Sequence, residues 1–277
     1  TSEAMSAVIG GVDSLSIRAE HELDFANRVA RNISNLLNEE SHLGKVGGAA
    51  TGSYYLEQLS GDLAAAAWNE FKEISGRGGY NAAIENGYFF SEIEKDLAFR
   101  LSQVELGKSK LVGVNDFGNQ EEQIPHSNFD FNRQSFAREF ELIRHAVDKY
   151  VNNNSEQERP TVFLLPIGDN GKMINARQSF VSNFFSWAGF NIETSDRVST
   201  LNDTSLIVWC GSDESYELLA DARIEFGLSC DALQIVAGKL ANSQESGIYA
   251  QINAKSNRLK VVGEVLAQMN IKISNNE

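Results

Sequence analysis

Residues 160–190 read PTVFLLPIGDNGKMINARQSFVSNFFSWAGF, and they decide the fold of the second half of the chain. TVFLLPIG (161–168) is a short, nearly continuous apolar run closed by a glycine, the pattern of a strand covered on both faces. From Asn175 to Ala188 the spacing changes to a helical one, with Phe180, Phe184 and Phe185 giving a bulky apolar face. The alternation then continues. FNIETS (190–195), SLIVWCG (205–211), ALQIVAG (232–238) and GIYAQI (247–252) are four further candidate strands, and helices fit at Asp213 to Phe226 and Ser256 to Met269. Strands alternating with helices predict a doubly wound parallel sheet over residues 160–277. The connections Asp196 to Thr204 and Lys239 to Ser246 are shorter than the roughly 10–12 residues of a full crossover, so each is expected to be one turn or bare loop.

The first half has a different texture. Leu23, Ala26, Ala30, Ile33 and Leu37 form one helical stripe between His21 and Glu39; Leu63, Ala67, Phe71 and Ile74 form a second. Between them Gly47, Gly48 and Gly52 lead into YYLEQL, taken as a short strand, with Ser60 or Asp62 able to cap the helix that follows. SAVIGG with VDSLSI, and LVGVNDF (111–117), supply two more candidate strands around a mostly helical stretch from Tyr80 to Leu106. NQEEQIPHSNFDFN (119–132) is polar and without period, a linker; Phe136, Phe140, Ile143, Val147 and Val151 mark one helix before NNNSEQERP ends it. The expected organisation is residues 1–117, a connecting segment 118–159 with one helix, and residues 160–277.

The chain has 277 residues, which predicts about two domains at about 150 residues each. Lys plus Arg is 24 against Asp plus Glu 38, a formal charge of −14 that repels phosphate backbones and anionic lipid; nucleic acid and membrane are not expected partners. No run approaches the ~18 apolar residues of a membrane-spanning helix. Cys210 and Cys230 are too few for a disulfide scaffold and sit in or beside apolar stretches, so a reducing cytoplasm is the expected setting. The opening TSEAMSAVIGG has no signal-peptide pattern and no initiator Met, so a longer chain is expected.

Few residues suggest chemistry directly. GDNGK falls short of a phosphate-binding loop, which requires glycine where Pro166 stands and serine or threonine where Met173 stands. Glu39 and Glu40 with His42 nearby read as a solvated helix end rather than acid–base or metal chemistry, since no second ligand cluster adjoins them. The three glycines 47, 48 and 52 suit either close approach to a ligand or a tight turn. Trp68, Phe71, Trp187 and Trp209 fall on apolar periodicities and read as core or interface. Asn32, Asn153 and Asn202 begin glycosylation sequons without consequence in a cytoplasmic protein.

AMSAVIGGVDSL (4–15), RVARNISNLLNEESHLGKV (28–46), the segment from Gly47 to Gly87 and KLVGVNDF (110–117) together resemble the methylmalonyl-CoA mutase family, in the family's order. That family uses adenosylcobalamin to rearrange the carbon skeleton of an acyl-CoA. The resemblance implies an α/β architecture in which residues 1–117 are the C-terminal portion of a (β/α)8 TIM barrel. It implies that residues 160–277 are a flavodoxin-like, cobalamin-binding-type domain. About 115 residues cannot close an eight-stranded barrel, which takes about 250, so either the missing strands are expected upstream in a longer chain or this half folds against something else. The family's substrate-activating tyrosine, histidine and arginine lie in barrel strands before this portion, and no residue here is assigned a catalytic role.

In cobalamin-binding members the loop after the first strand of the second domain carries lysine, two residues, then glutamine, aspartate, glycine, histidine. The histidine ligates cobalt and the aspartate orients it. Aligned on Gly168 and Gly171, Pro166 stands for the lysine, Asn170 for the aspartate and Lys172 for the histidine. An ammonium has no lone pair to give a metal, asparagine lacks the negative charge, and proline has no side-chain donor. None of His21, His42, His126 and His145 is close to this loop in sequence. The altered loop, with ARQSFVSNFFSWAGF (176–190), resembles the small subunit of heterodimeric mutases, which implies a catalytically silent chain binding no cofactor. Adenosylcobalamin and acyl-CoA would then belong to a large-subunit partner. The alternative is an active acyl-CoA mutase with unusual cobalamin ligation that needs an upstream barrel segment.

Overall fold

Leu164 and Leu165 are adjacent, fully buried and face opposite ways, and the second half is organised around that alternation. β1 (Thr161–Ile167) pairs in parallel with β2 (Asn191–Thr194) on one side and β3 (Ser205–Gly211) on the other; β4 (Gln234–Ala237) and β5 (Ala250–Ile252) extend the sheet beyond β3. The resulting order is β2–β1–β3–β4–β5, all parallel. The computed structural model from which this is read describes residues 1–19, 24–119, 135–153, 158–194, 204–228, 232–240 and 247–273. It divides into two compact units, Thr1–Ser91 and Glu92–Glu277.

Successive strand residues point to opposite faces of a sheet. Val162, Leu164, Leu206, Val208, Cys210, Ile235, Ala237 and Ile252 face one layer. There they meet Val181, Phe184 and Phe185 of α7 (Gly171–Phe185), Val262, Val265 and Leu266 of α9 (Arg258–Gln268), and Phe140, Ile143 and Val147 of α6 (Arg138–Asn153). Leu165, Ile167, Ile207, Trp209 and Val236 face the other, under Tyr216 and under Leu219 and Ala222 of α8 (Leu219–Glu225). Both faces are covered, which is why these strands read as apolar runs and not as alternating ones. The five strands and the helices after β1 and β5 lie where the periodicity placed them. The segment from Asp213 begins as a 3-10 turn, Glu214–Leu218, before α8. Most of each short connection, along with Cys230, His21, His126 and Asn202, lies outside the described residues.

At the edge of the first layer, the Asp148 carboxylate of α6 receives Arg159 at 2.7 Å and Arg144 at 3.4 Å, while Arg144 also donates to the carbonyls of Trp187 and Asn119. This network fastens α6 to the turn ending α7.

The first unit holds α1 (Ser2–Ile9), α2 (Asp24–Asn35) running into a π-helical turn at Leu36–Glu40, a 3-10 turn at Leu43–Lys45, α3 (Tyr54–Gly76) and α4 (Tyr80–Glu85). The unit boundary falls within α5 (Tyr88–Glu105). The break between α4 and α5 is made by Gly87, at φ +77°, and by Asn86, whose Oδ1 accepts from the Tyr88 amide at 3.1 Å.

Three strands expected in residues 1–117 are corrected. Residues 2–9 are α1, YYLEQL is the first turn and a half of α3, and Leu111–Phe117 is a turn with one isolated bridge, Val112 to Asp116. Glu, Gln, Leu and a run of four Ala favour a helix that propagates back to the cap at Ser53, and a strand without a neighbour leaves its amides unpaired. In LVGVNDF, Gly113 at φ +82° and Phe117 at φ +55° turn the backbone out of any strand.

Candidate functional site

In an open parallel sheet, ligands bind outside the carboxyl ends of the strands, where the strand order reverses. Here that point lies between β1 and β3, so the loops Gly168–Gly171 and Ser212–Ser215 define the candidate site.

The three residues of the altered ligand motif stand around the turn from β1 to α7. Pro166 sits in β1 opposite Cys210 of β3, two residues beyond the last β2 partner, Leu164. A proline is tolerated where the strand has a neighbour on one side only. Gly168, at φ +80°, turns the chain out of the sheet. Asn170 is the N-cap of α7, its Oδ1 accepting from the Met173 amide at 3.2 Å. Such a cap contributes about 1 kcal/mol to the helix. Lys172 is exposed on the first turn of α7. The three residues are thus brought to one loop, but the asparagine serves the helix backbone and the lysine faces solvent.

Sequence reasoning missed the residues that dominate this end of the sheet. Arg177, half-buried on α7, donates to Tyr216 Oη at 2.9 Å, to Asp213 Oδ1 at 2.7 Å and to the carbonyl of Ala237. Tyr216 is fully buried; its hydroxyl donates to the Ala237 carbonyl at 2.5 Å and accepts from the Gly211 amide at 3.2 Å. Asp213 also accepts the Lys239 amide at 3.0 Å. One guanidinium therefore ties α7 to the segment after β3 and to the end of β4. Burial pulls the Arg177 pKa down, but its bonds to Asp213 and Tyr216 outweigh that and leave it raised. The Lys239 amide, then Arg177, hold the Asp213 carboxyl below its ordinary value. Burial raises Tyr216 and pushes the Cys210 thiol up to about 12, a neutral and unreactive state. No spacing signal marks this cluster, because the partners of Arg177 stand 36 to 60 residues from it.

The remaining candidates do not converge on a site. Glu39 and Glu40 are exposed in the π-helical turn, and His42 Nδ1 is 3.3 Å from the Asn38 carbonyl. Gly48 and Gly52 take positive φ in the turn before α3, where the Gly52 amide donates to Glu57 Oε1 at 2.9 Å. Trp187 and Trp209 are core. Trp68 and Phe71 stack on each other with ring centroids 5.2 Å apart and are exposed. Among the described residues no helix is long and apolar enough to cross a membrane.

A parallel α/β sheet follows a helical unit that carries these long motifs, and comparison with known proteins places the chain in a family. The family model for methylmalonyl-CoA mutase matches residues 1–158, and this chain belongs to the methylmalonyl-CoA mutase family. It is 30% identical to the methylmalonyl-CoA mutase small subunit of Porphyromonas gingivalis over 94% of this chain and 46% of that protein. It is also 30% identical to the small subunit of Streptomyces virginiae, over 86% of this chain and 42% of that one. The methylmalonyl-CoA mutase of Cereibacter sphaeroides is 37% identical over 42% of this chain and 17% of that protein. The chain spans less than half the length of these relatives.

Proposed function

We propose that this chain acts as the catalytically silent small subunit of a heterodimeric, adenosylcobalamin-dependent methylmalonyl-CoA mutase. In this reading the large subunit holds cofactor and acyl-CoA and interconverts (R)-methylmalonyl-CoA and succinyl-CoA in the cytoplasm. The similarity to proteins named as small subunits supports the assignment. The strand order 2-1-3-4-5 supports reading residues 160–277 as a flavodoxin-like domain of the cobalamin-binding type. The family match supports reading residues 1–117 as the end of a β/α barrel.

The observation that carries the silent role is the chemistry of the β1–α7 loop. A lower cobalt ligand needs an imidazole lone pair and an acceptor to orient it. Lys172 presents an ammonium to solvent, the Asn170 oxygen is engaged by the Met173 amide, and Pro166 offers no donor. These residues do not fit the cofactor, and no catalytic step is assigned to this chain. A partner is supported by α3, which buries none of its residues and exposes Tyr54, Leu63, Trp68 and Phe71. Apolar surface on this scale marks an interaction face.

Co-expression with a cognate large subunit tests the proposal. The expected result is a stable one-to-one complex, with corrin absorption following the large subunit alone. Failure to recover the large subunit, or one cobalamin bound per copy of the isolated chain, overturns it.

A further inference from the structure

The cofactor misfit has a steric side that is independent of the lost ligand residues. At the switch point the loops after β1 and β3 are already in contact. A Cβ placed on Gly168 would overlap Ser215 Oγ and lie 2.7 Å from its Cβ; one on Gly211, the last residue of β3, would overlap the carbonyl of its β1 register partner Ile167. Real Cβ atoms do not approach so closely, so Ser215 occupies the space against Gly168. Ser215 is held in place by Ser212, with Oγ to Oγ at 2.7 Å and the Ser215 amide on Ser212 Oγ at 3.2 Å. Arg177 then crosses above, reaching Asp213, Tyr216 and Ala237, and lies so close over Gly238 that any side chain there would displace the guanidinium.

We infer that the ligand crevice of this sheet is sealed by its own side chains, with Arg177 as a strap across the loops after β3 and β4 and Ser215 as the plug against Gly168. The silence of the domain is therefore doubly determined. Restoring the cobalt-binding triad in the loop would leave a nucleotide-sized tail without a place to enter. The inference rests on the proposed function only for the choice of ligand; the closure itself is a property of the residues named.

The strap has a direct readout. The amides of Gly211 and Lys239 donate to Tyr216 Oη and Asp213 Oδ1, so they exchange with solvent only when the strap opens. In the full chain, Arg177→Met is expected to speed exchange at both amides by about tenfold while amides inside β1 and β3 keep their protection. Asp213→Ala, at a half-exposed position, is the milder variant: Lys239 exchanges faster and Gly211 does not. Unchanged exchange at Gly211 and Lys239 in Arg177→Met, or at Lys239 in Asp213→Ala, overturns the strap.

The plug is read by titrating hydroxocobalamin into the unaltered chain and into the triple variant Pro166→Lys, Asn170→Asp, Lys172→His, following the corrin bands. Neither is expected to bind, with the triple variant retaining the near-ultraviolet circular dichroism of the unaltered chain. One-to-one binding by the triple variant alone overturns the closure and leaves the silent-subunit reading intact. Binding by the unaltered chain overturns that reading as well.

Discussion

Asn115 Oδ1 accepts the backbone amide of Leu111 at 2.7 Å, closing the turn that the apolar letters LVGV had suggested would be a strand. The same side chain, fully buried, donates through Nδ2 to the carbonyls of Val104 and Ser109, both at 2.9 Å, and the backbone carbonyl of Asn115 receives Arg258 of α9. The side-chain amide thus joins the end of α5 to the turn, and the backbone of the same residue joins the turn to the last helix.

Asn115→Ala leaves three backbone groups without this partner in a site closed to water. A loss of about 2–4 kcal/mol is expected from the cost of buried unsatisfied groups. Urea unfolding followed by the circular dichroism of the sheet-containing unit measures it; a change within 0.5 kcal/mol, about the size expected of a surface substitution, would show that the turn holds by other means.

Phe185 is fully buried between Phe184, with centroids 5.1 Å apart, and Phe190 at 5.6 Å. Phe185→Ala is expected to cost about 3–5 kcal/mol, and Phe185→Leu much less, because only the former leaves a large cavity under β1. Thermal denaturation of both variants gives the comparison.

Cys210 is fully buried in β3, and its thiol is raised to about 12. The native chain is expected to resist alkylation at this residue at pH 8 and to accept it once unfolded, as read by peptide mass mapping. The sign for stability follows from the raised value: the contribution is fully present below the unfolded thiol value of about 8.5 and is lost as pH rises towards 12.

Asp213 shows the opposite sign. Its carboxyl is held low by the Lys239 amide and by Arg177, so its contribution is present above the unfolded value of about 3.9 and is lost as pH falls through its lower folded value. Exchange at the Lys239 amide, corrected for the intrinsic pH dependence, is expected to accelerate below about pH 4. Side-chain carboxyl titration by NMR should give Asp213 a value below that of an exposed aspartate.

The second half was legible because burial on both faces leaves a plain mark: Val162 to Leu165 and Leu206 to Cys210 are apolar at every position, and their short length between turn residues fits a strand covered on both sides. The first half was misread at YYLEQL and SAVIGG, where aromatic and β-branched letters suggested strands although no neighbouring strand is described in that unit to pair with them. Helix propensity decides such segments when pairing is absent. The altered loop at Pro166, Asn170 and Lys172 was visible as letters; the cap formed by Asn170 was not, nor was the bond from Arg177 to Ala237, which joins residues 60 positions apart.

The chain's three tryptophans are distributed unevenly between the two units: Trp68 on α3 is 61% exposed, whereas Trp187 and Trp209 are 2% and 0% exposed in the sheet-containing unit. Intrinsic fluorescence is therefore expected to contain one red, iodide-quenchable emitter and two blue, protected ones. A blue shift confined to the quenchable fraction would report a protein covering α3, while a change in the protected fraction would report events in the sheet.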